Sequence, residues 1–408
     1  MGSRGDTQPL LGLALGLRSA GHEVVVAAPP SFKQWVGELG LPFFGLGFDI
    51  YEWSQKQTDL ARSPLRAIRV MSGVLRDEIA AQFRDMRAIP DDVDCVVAGG
   101  LQVAAGSWAE QHRIPYNFVA FTPGLMRTAN HAPALLPWPD VPGVARRMAW
   151  WMMETAYGWL LLRDVNRARA GVSLAPHPSF GDLFLGRDVL LAYDPELSES
   201  PRGAVTSFVE TGAWVLGSAD PLPEEVERFL QAGPPPYYIG FGSVPDGNPA
   251  ETTRVLVAAV RSAGGRALIS RGWANLANEP LPEGFLAVGG LPHDKLFPRL
   301  AAVIHHGGAG TTQTAARAGV PQILVPHGAD QFYWASRIRK LGLGPRAVAK
   351  TRLSRDRLGA ALTEVARDPG YRDRAAALGQ RMRLVDGVGN TIRYLERRHG
   401  IRLPRATG

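Results

Sequence analysis

The chain has 408 residues, 45% hydrophobic and 20% charged, enough to bury two cores and long for one. Its net charge of +7 comes from arginines scattered along the sequence, which argues for a solvated basic surface and against a nucleic-acid-binding stripe. Cys95 is the single cysteine, so a disulfide within the chain is excluded. No signal peptide opens the chain, and the cytoplasm is the expected compartment. The most apolar long segment, residues 148–162, is too short to cross a bilayer and carries Glu154, but it can lie on one as a peripheral contact.

In chain order, the opening MGSRGDTQP reads as a glycine turn, followed by a helix LLGLALGLRSAG that stops at Gly21 and a strand HEVVVAAP. In a doubly wound domain the first glycine turn follows a buried strand at the middle of the sheet. Here Gly2 and Ser3 follow Met1 directly, so that strand is expected to be missing, with HEVVVAA and DCVVAGG facing each other across a gap. A long loop and an amphipathic helix, SPLRAIRVMSGVLRDEIAAQFRDMRAI, come next, then the strand DCVVAGG, a helix over 102–112, the strand YNFVAFTP and a proline-rich loop through His131 and Trp138. Trp138, Trp150, Trp151 and Trp159 fall in that loop and the helix after it, with Met148, Met152, Met153 and Tyr157 beside them. Core packing accounts for at least half of these, and an apolar ligand pocket including Phe121, His131 and Trp138 accounts for the rest. After the strand DVLLAY, the run DPELSESPRG reads as a linker, which puts a domain boundary near Pro201.

The second half alternates strand and helix: PYYIGFGSV, a helix from Pro249, GRALISRGW, FLAVGG and LPHDKLFPRL. It then reaches LAAVIHHGGAGTTQTAARAGVPQILVPHGADQ. There a buried strand ends in a glycine turn that opens a short helix, a second strand follows, and a loop carries Asp330 and Gln331. Bare N–H groups at the positive end of a helix suit a phosphate, and a carboxylate beside an amide suits vicinal hydroxyls. Together they suggest a nucleotide-sugar. Successive side chains at a strand end point to opposite faces, so His305 and His306 are not expected to share a metal. Helices from Ser354 and Tyr371 and a last helix, GNTIRYLERRHG, finish the chain.

The order His-Gly-Gly-x-Gly, Gly-Val-Pro, Pro-x-x-x-Asp-Gln resembles the donor motif of inverting nucleotide-sugar-dependent glycosyltransferases of the GT-B fold, in the branch that glycosylates glycopeptide antibiotics and sterols. The resemblance implies an α/β fold of two Rossmann-like doubly wound domains facing across a cleft. Residues 1–200 would bind the acceptor and 201–385 the donor, with 386–408 crossing back to the first domain. It implies that His306, Gly308, Ala309, Gly310 and Thr311 hold the diphosphate with Ser3, Arg4 and Ser243, that Arg271 and Leu291 lie at the donor site with the base read beside Leu291, and that Asp330 and Gln331 hold the sugar. Asp6 matches the proposed base. It stands where plant and macrolide relatives have a histidine. Thr314 stands in place of a ribose-binding glutamate, leaving Gln313 as substitute, and Gly290 in place of a base-stacking aromatic.

The reading is an inverting glycosyltransferase of hexosyltransferase type, moving sugar from a UDP- or dTDP-sugar to a hydroxyl of a lipophilic natural-product or sterol-like acceptor. It needs no metal and no cofactor beyond the nucleotide-sugar co-substrate, because a diphosphate leaves well once its charge is met. The Asp92-Val93-Asp94 triplet resembles a metal motif of another glycosyltransferase fold but leads into a strand of the half without the donor signature. A nucleotide-sugar epimerase on the same fold and a non-catalytic helper are the alternatives.

Overall fold

The computed structural model describes residues 4–48, 64–134, 136–179, 181, 188–218 and 220–401, with 4, 64–69 and 71 described by their backbone alone. Ser3 lies outside the described residues. Helix α1 spans Arg4–Ser19, six residues longer at its start than the apolar pattern indicates. The acidic Asp6 sits in its first turn, where the helix dipole favours a carboxylate, and Pro9 forfeits a single backbone bond there. The expected glycine turn is therefore helix from Arg4 onward.

In the N-terminal half, β1 (Val26–Ala28) pairs in parallel with β2 (Phe43–Gly45), with α2 (Lys33–Glu38) between them. After α3 (Pro64–Asp85) comes a separate parallel sheet in the order β3 (Val96–Gly99), β4 (Tyr116–Ala120), β5 (Asp188–Leu191), β6 (Ser207–Glu210). Helices α4 (Val103–His112), α5 (Gly143–Tyr157) and α6 (Arg163–Ala170) belong to this half, with a π-helical turn over Gly158–Leu162. Among the described residues β1 and β3 belong to different sheets, and no strand joins them. Side chains of α3 work across the break. Glu78 accepts from the Phe48 N–H at 2.9 Å, Asp85 from Gly47 N–H at 3.1 Å, and Gln82 donates to the Leu101 carbonyl at 3.0 Å.

The C-terminal half follows the helix α7 (Glu224–Gln231) with one five-stranded parallel sheet. Its strands are β7 (Tyr237–Gly240), β8 (Ala267–Ser270), β9 (Phe285–Val288), β10 (Ala302–His305) and β11 (Gln322–Leu324), ordered β11-β10-β7-β8-β9. Nearly all their residues are buried, as apolar runs in a parallel sheet covered on both faces must be. The helices are α8 (Pro249–Ser262), α9 (His293–Leu296), α10 (Ala309–Ala318), α11 (Gln331–Lys340), α12 (Arg355–Arg367) and α13 (Gly370–Arg383).

The last helix, α14 (Gly387–His399), packs on α1 and reaches the first sheet. Tyr394 and Arg398 both donate to Asp188 Oδ2, at 3.0 and 3.1 Å, and Trp214 Nε1 donates to Thr391 Oγ1 at 2.7 Å. Further ties join the halves. Ser198 and Tyr333 share a 2.6 Å hydroxyl contact, Arg337 reaches Glu199 at 2.5 Å, and Asp140 meets Ser336 and Lys340.

Candidate active site

The strand order of the second sheet reverses between β7 and β10, and ligands of such sheets sit at the carboxyl ends of the strands at this point. Every donor residue picked from the second half lies on that edge. β7 leads into Gly242 and Ser243, β8 into Arg271, β9 into Leu291, β10 into the histidine-glycine turn, and β11 into the loop before Asp330.

Gly307 has φ +95°, which only glycine holds without strain, and a Cβ there would lie 3.1 Å from the Gln331 carbonyl. Gly308 then caps α10 without a side-chain hydrogen bond. The first-turn N–H groups of Ala309, Gly310 and Thr311 have no carbonyl one turn back, and they form the positive end of a ten-residue helix. Beside them the His306 ring is wedged between two glycines: a Cβ on Gly242 would sit 2.7 Å from its Cε1, and one on Gly308 2.5 Å from its Nε2. His306 is only 9% exposed, and its Nδ1 has no protein partner among the described residues. Burial, then nearby His327, pushes its pKa down to about 4, so it is neutral and can offer an N–H without carrying charge.

His305 is different. It is fully buried, its Nδ1 accepts from the Gly307 N–H at 3.1 Å, and its Nε2 lies 2.9 Å from Gln322 Oε1, which fixes the Nε2-protonated tautomer. Burial and His306 hold it neutral, with a pKa near 3. It braces the turn from beneath.

Asp330 is the N-cap of α11 and takes a hydrogen bond from Trp334 Nε1 at 3.1 Å. Burial raises its carboxyl to about 6, Trp334 pulls the other way, and the carboxylate of Asp6 across the cleft raises it further. Two carboxylates thus converge from opposite halves, Asp6 from the start of α1 and Asp330 from the start of α11. Gln331 contributes less than its residue type allows. Its Oε1 already accepts from the His327 and Gly328 N–H groups, at 2.7 and 3.2 Å, which leaves its NH2 to donate.

Two expectations need correction. Gln313 cannot substitute for a ribose-binding glutamate, because its buried Oε1 accepts from the Asp194 N–H at 2.7 Å and so ties the two halves together. Thr314 turns its hydroxyl back onto the Gly310 carbonyl at 2.9 Å. The expected acceptor residues do not form one pocket. Phe121 packs edge-on against Trp214 in the core with Leu13 and Leu190; His131 is 3% exposed and lies under the Tyr333 ring; Trp138 is 68% exposed. Of the four tryptophans in that region only Trp150 is core, its Nε1 donating to the His131 carbonyl at 2.9 Å. Leu291 is half-buried against the core cluster around Leu296 and Phe297.

Other residues at the site went unnoticed in the sequence. Lys350 Nζ lies 2.5 Å from both Asp246 Oδ2 and Thr252 Oγ1, pinning the loop that carries Ser243. Burial pushes the Asp246 carboxyl up, but Lys350, the Asn248 N–H and Thr252 outweigh it and hold the group below its usual range. His327 packs on Phe241 with ring centroids 4.9 Å apart, its Nε2 buried without a partner among the described residues. At the ends of β4 and β5, Thr122 and Tyr193 likewise keep a buried hydroxyl without a hydrogen-bond partner among the described residues, and the buried Asp194 Oδ2 faces Arg317 at 3.9 Å. Position just past a strand end was the available signal for His327, Thr122, Tyr193 and Asp194.

Two Rossmann-like halves with a phosphate-type helix end facing a carboxylate across the cleft define a GT-B glycosyltransferase. A family model described as the C-terminal domain of erythromycin biosynthesis protein CIII-like proteins matches residues 272–384. The chain is 37% identical over 351 residues to the vancomycin aglycone glucosyltransferase of Amycolatopsis orientalis, covering 84% of this chain and 83% of that one. It is 37% identical over 392 residues to glycosyltransferase GtfE of the same organism, covering 95% and 93%. A sterol 3-beta-glucosyltransferase of Arabidopsis thaliana is 29% identical, over 99% of this chain and 68% of its own. The solved glycotransferase of kitacinnamycin shares the fold at TM-score 0.72 with 21% identity, covering 97% of this chain and 96% of that one. The chain belongs to the vancomycin-type glycosyltransferase family and is an enzyme of hexosyltransferase type. The epimerase reading finds no support among these relatives.

Proposed function

We propose that this glycosyltransferase moves a sugar from a thymidine or uridine diphosphate sugar to a hydroxyl of a lipophilic natural-product or sterol-like acceptor, with inversion. The observation that carries the reading is the convergence at one cleft of the open N-terminus of α10, the neutral His306 with its unpartnered Nδ1, and the Asp6 and Asp330 carboxylates. The relatives' names give the substrate classes: a vancomycin aglycone, a sterol, and, for a relative 35% identical over 92% of the chain, a dTDP-sugar.

In this mechanism the diphosphate rests on the N–H groups of Ala309, Gly310 and Thr311 beside His306 and Ser243, which stabilise the charge that builds on the leaving oxygen. The family resemblance assigns Arg4 and Ser3 to the same diphosphate. Asp330 accepts hydrogen bonds from the sugar hydroxyls, and the Gln331 NH2 donates to one. Arg271 and Leu291 flank the nucleoside. The acceptor hydroxyl attacks the anomeric carbon from the face opposite the diphosphate, and Asp6 takes its proton as the new bond forms. The acceptor enters past the first-half strand ends, near the buried hydroxyls of Thr122 and Tyr193, which have no hydrogen-bond partner among the described residues.

The test is a thermal-shift screen with uridine and thymidine diphosphate sugars. A ligand at a hundredfold its Kd adds about 2.7 kcal/mol of stability. A flat response to every donor would overturn the reading.

A further inference from the structure

Helix α5 turns an apolar face outward. Val144, Met148, Trp151 and Met152 recur at the spacing of one helical stripe and are 70%, 58%, 65% and 57% exposed. Trp159, on the π-helical turn, extends the stripe at 79% exposed. From Val144 to Trp159 the stripe runs about 22 Å at a rise of ~1.5 Å per residue. Contiguous apolar surface of this extent marks an interaction site, whereas single exposed apolar residues are ordinary.

Charge selects the partner. Residues 143–170 contain five arginines (146, 147, 163, 167, 169) and two carboxylates, Glu154 and Asp164. Both carboxylates already face arginine: Glu154 pairs with Arg127 at 3.2 Å, and Asp164 with Arg167 at 3.0 Å and Arg76 at 3.4 Å. Arg147 and Arg163, in the same stretch as the stripe, are exposed, whereas Arg169 is buried against Glu110. A second copy docked stripe to stripe would bring two arginine rims together in a chain of net charge +7. An acidic surface with an apolar interior satisfies both the rim and the stripe.

We propose that α5 and the turn after it lie in the plane of an anionic lipid surface, with Met148, Trp151, Met152 and Trp159 among the acyl chains and Arg147 and Arg163 at the headgroups. Among the described residues no helix is long and apolar enough to cross a membrane, so this contact is peripheral. It does not depend on the proposed donor or acceptor.

The test is co-sedimentation with vesicles of phosphatidylglycerol mixed with phosphatidylcholine, against phosphatidylcholine alone, over a range of salt. The wild-type protein is expected to pellet with the anionic vesicles, with blue-shifted tryptophan emission. Trp151→Ser combined with Trp159→Ser should weaken partition about tenfold or more, and Arg147→Gln with Arg163→Gln should weaken it and flatten its salt dependence. These positions are exposed, so the variants should melt like wild type and keep their response to nucleotide-sugars, which separates this test from that of the chemistry. Failure of the wild type to pellet, pelleting of both variants at wild-type levels, or a wild-type dimer in sedimentation velocity that the tryptophan variant dissolves would each overturn the proposal, the last in favour of a second copy.

Discussion

Asp330→Asn should make the empty enzyme more stable while weakening its hold on the intact nucleotide-sugar. The folded carboxyl titrates near 6, against an ordinary value of 3.8. A raised carboxylate pKa means that the folded state prefers the neutral form. The resulting penalty is small at pH 4, grows as pH rises from 3.8 to 6, and is constant above that. A gap of about two units corresponds to roughly 3 kcal/mol at pH 7.5, falling to about 0.5 kcal/mol at pH 4. Asparagine keeps an oxygen for Trp334 Nε1 and removes both the buried charge and its repulsion with Asp6. The gain at pH 7.5 should reach about 1.5–3 kcal/mol, which in a domain of this size is several degrees in Tm. Circular-dichroism melts of both proteins from pH 4 to pH 8, without ligand, read the effect directly. A variant that melts at or below wild type at pH 7.5, or a Tm difference that does not shrink toward pH 4, would refute the reasoning.

If Asp6 is the base, Asp6→Asn should keep donor affinity, measured by titration with nucleoside diphosphate, while turnover falls roughly 10²–10⁴-fold; unchanged turnover removes it from the mechanism. Gly308→Ala places a methyl 2.5 Å from His306 Nε2 and should lower both Tm and diphosphate affinity, whereas Gly310→Ala meets nothing within 4 Å and should keep wild-type Tm. Equal behaviour of the two in melts would contradict the description of the turn. Lys350→Met should raise the donor KM about tenfold with kcat nearly unchanged, by loosening the Ser243 loop, and Lys350→Arg should restore part of it. A loss confined to kcat would place Lys350 elsewhere in the reaction.

The second half was largely readable because its strands are buried on both faces and read as apolar runs that stop at polar, glycine or proline positions where the cleft begins. LAAVI ahead of His305 and QILV ahead of His327 are the plainest. What stayed hidden were contacts between residues far apart in the chain. Nothing local to Gln313 shows that its amide is used by the Asp194 backbone, and nothing near Lys350 points to Asp246, about a hundred residues away. The aromatic run from Phe121 to Trp159 misled for another reason. Periodicity shows which residues share a face of α5 but not whether that face meets the core or water, so Trp150 and Trp151, adjacent in sequence, have opposite fates.

The pair β1–β2 is joined by a ladder of only three residue pairs and stands apart from the larger sheet. A two-stranded pair is marginal by itself, so its persistence depends on the α3 side chains at Gly47 and Phe48 and on the apolar cluster it shares with α1 around Leu11 and Ala14. Such a unit opens locally at a lower free energy than the core sheets, and its amide protons should exchange with solvent first. The helix α1 is held separately, by α14 and by Leu10, Leu13 and Leu17 packed with Val119 and Trp214, so Asp6 at its start keeps its place while the pair opens. If Asp6 is the base, turnover is then independent of the exchange protection of Val26–Ala28, and the edge of the first half can breathe without cost to the chemistry.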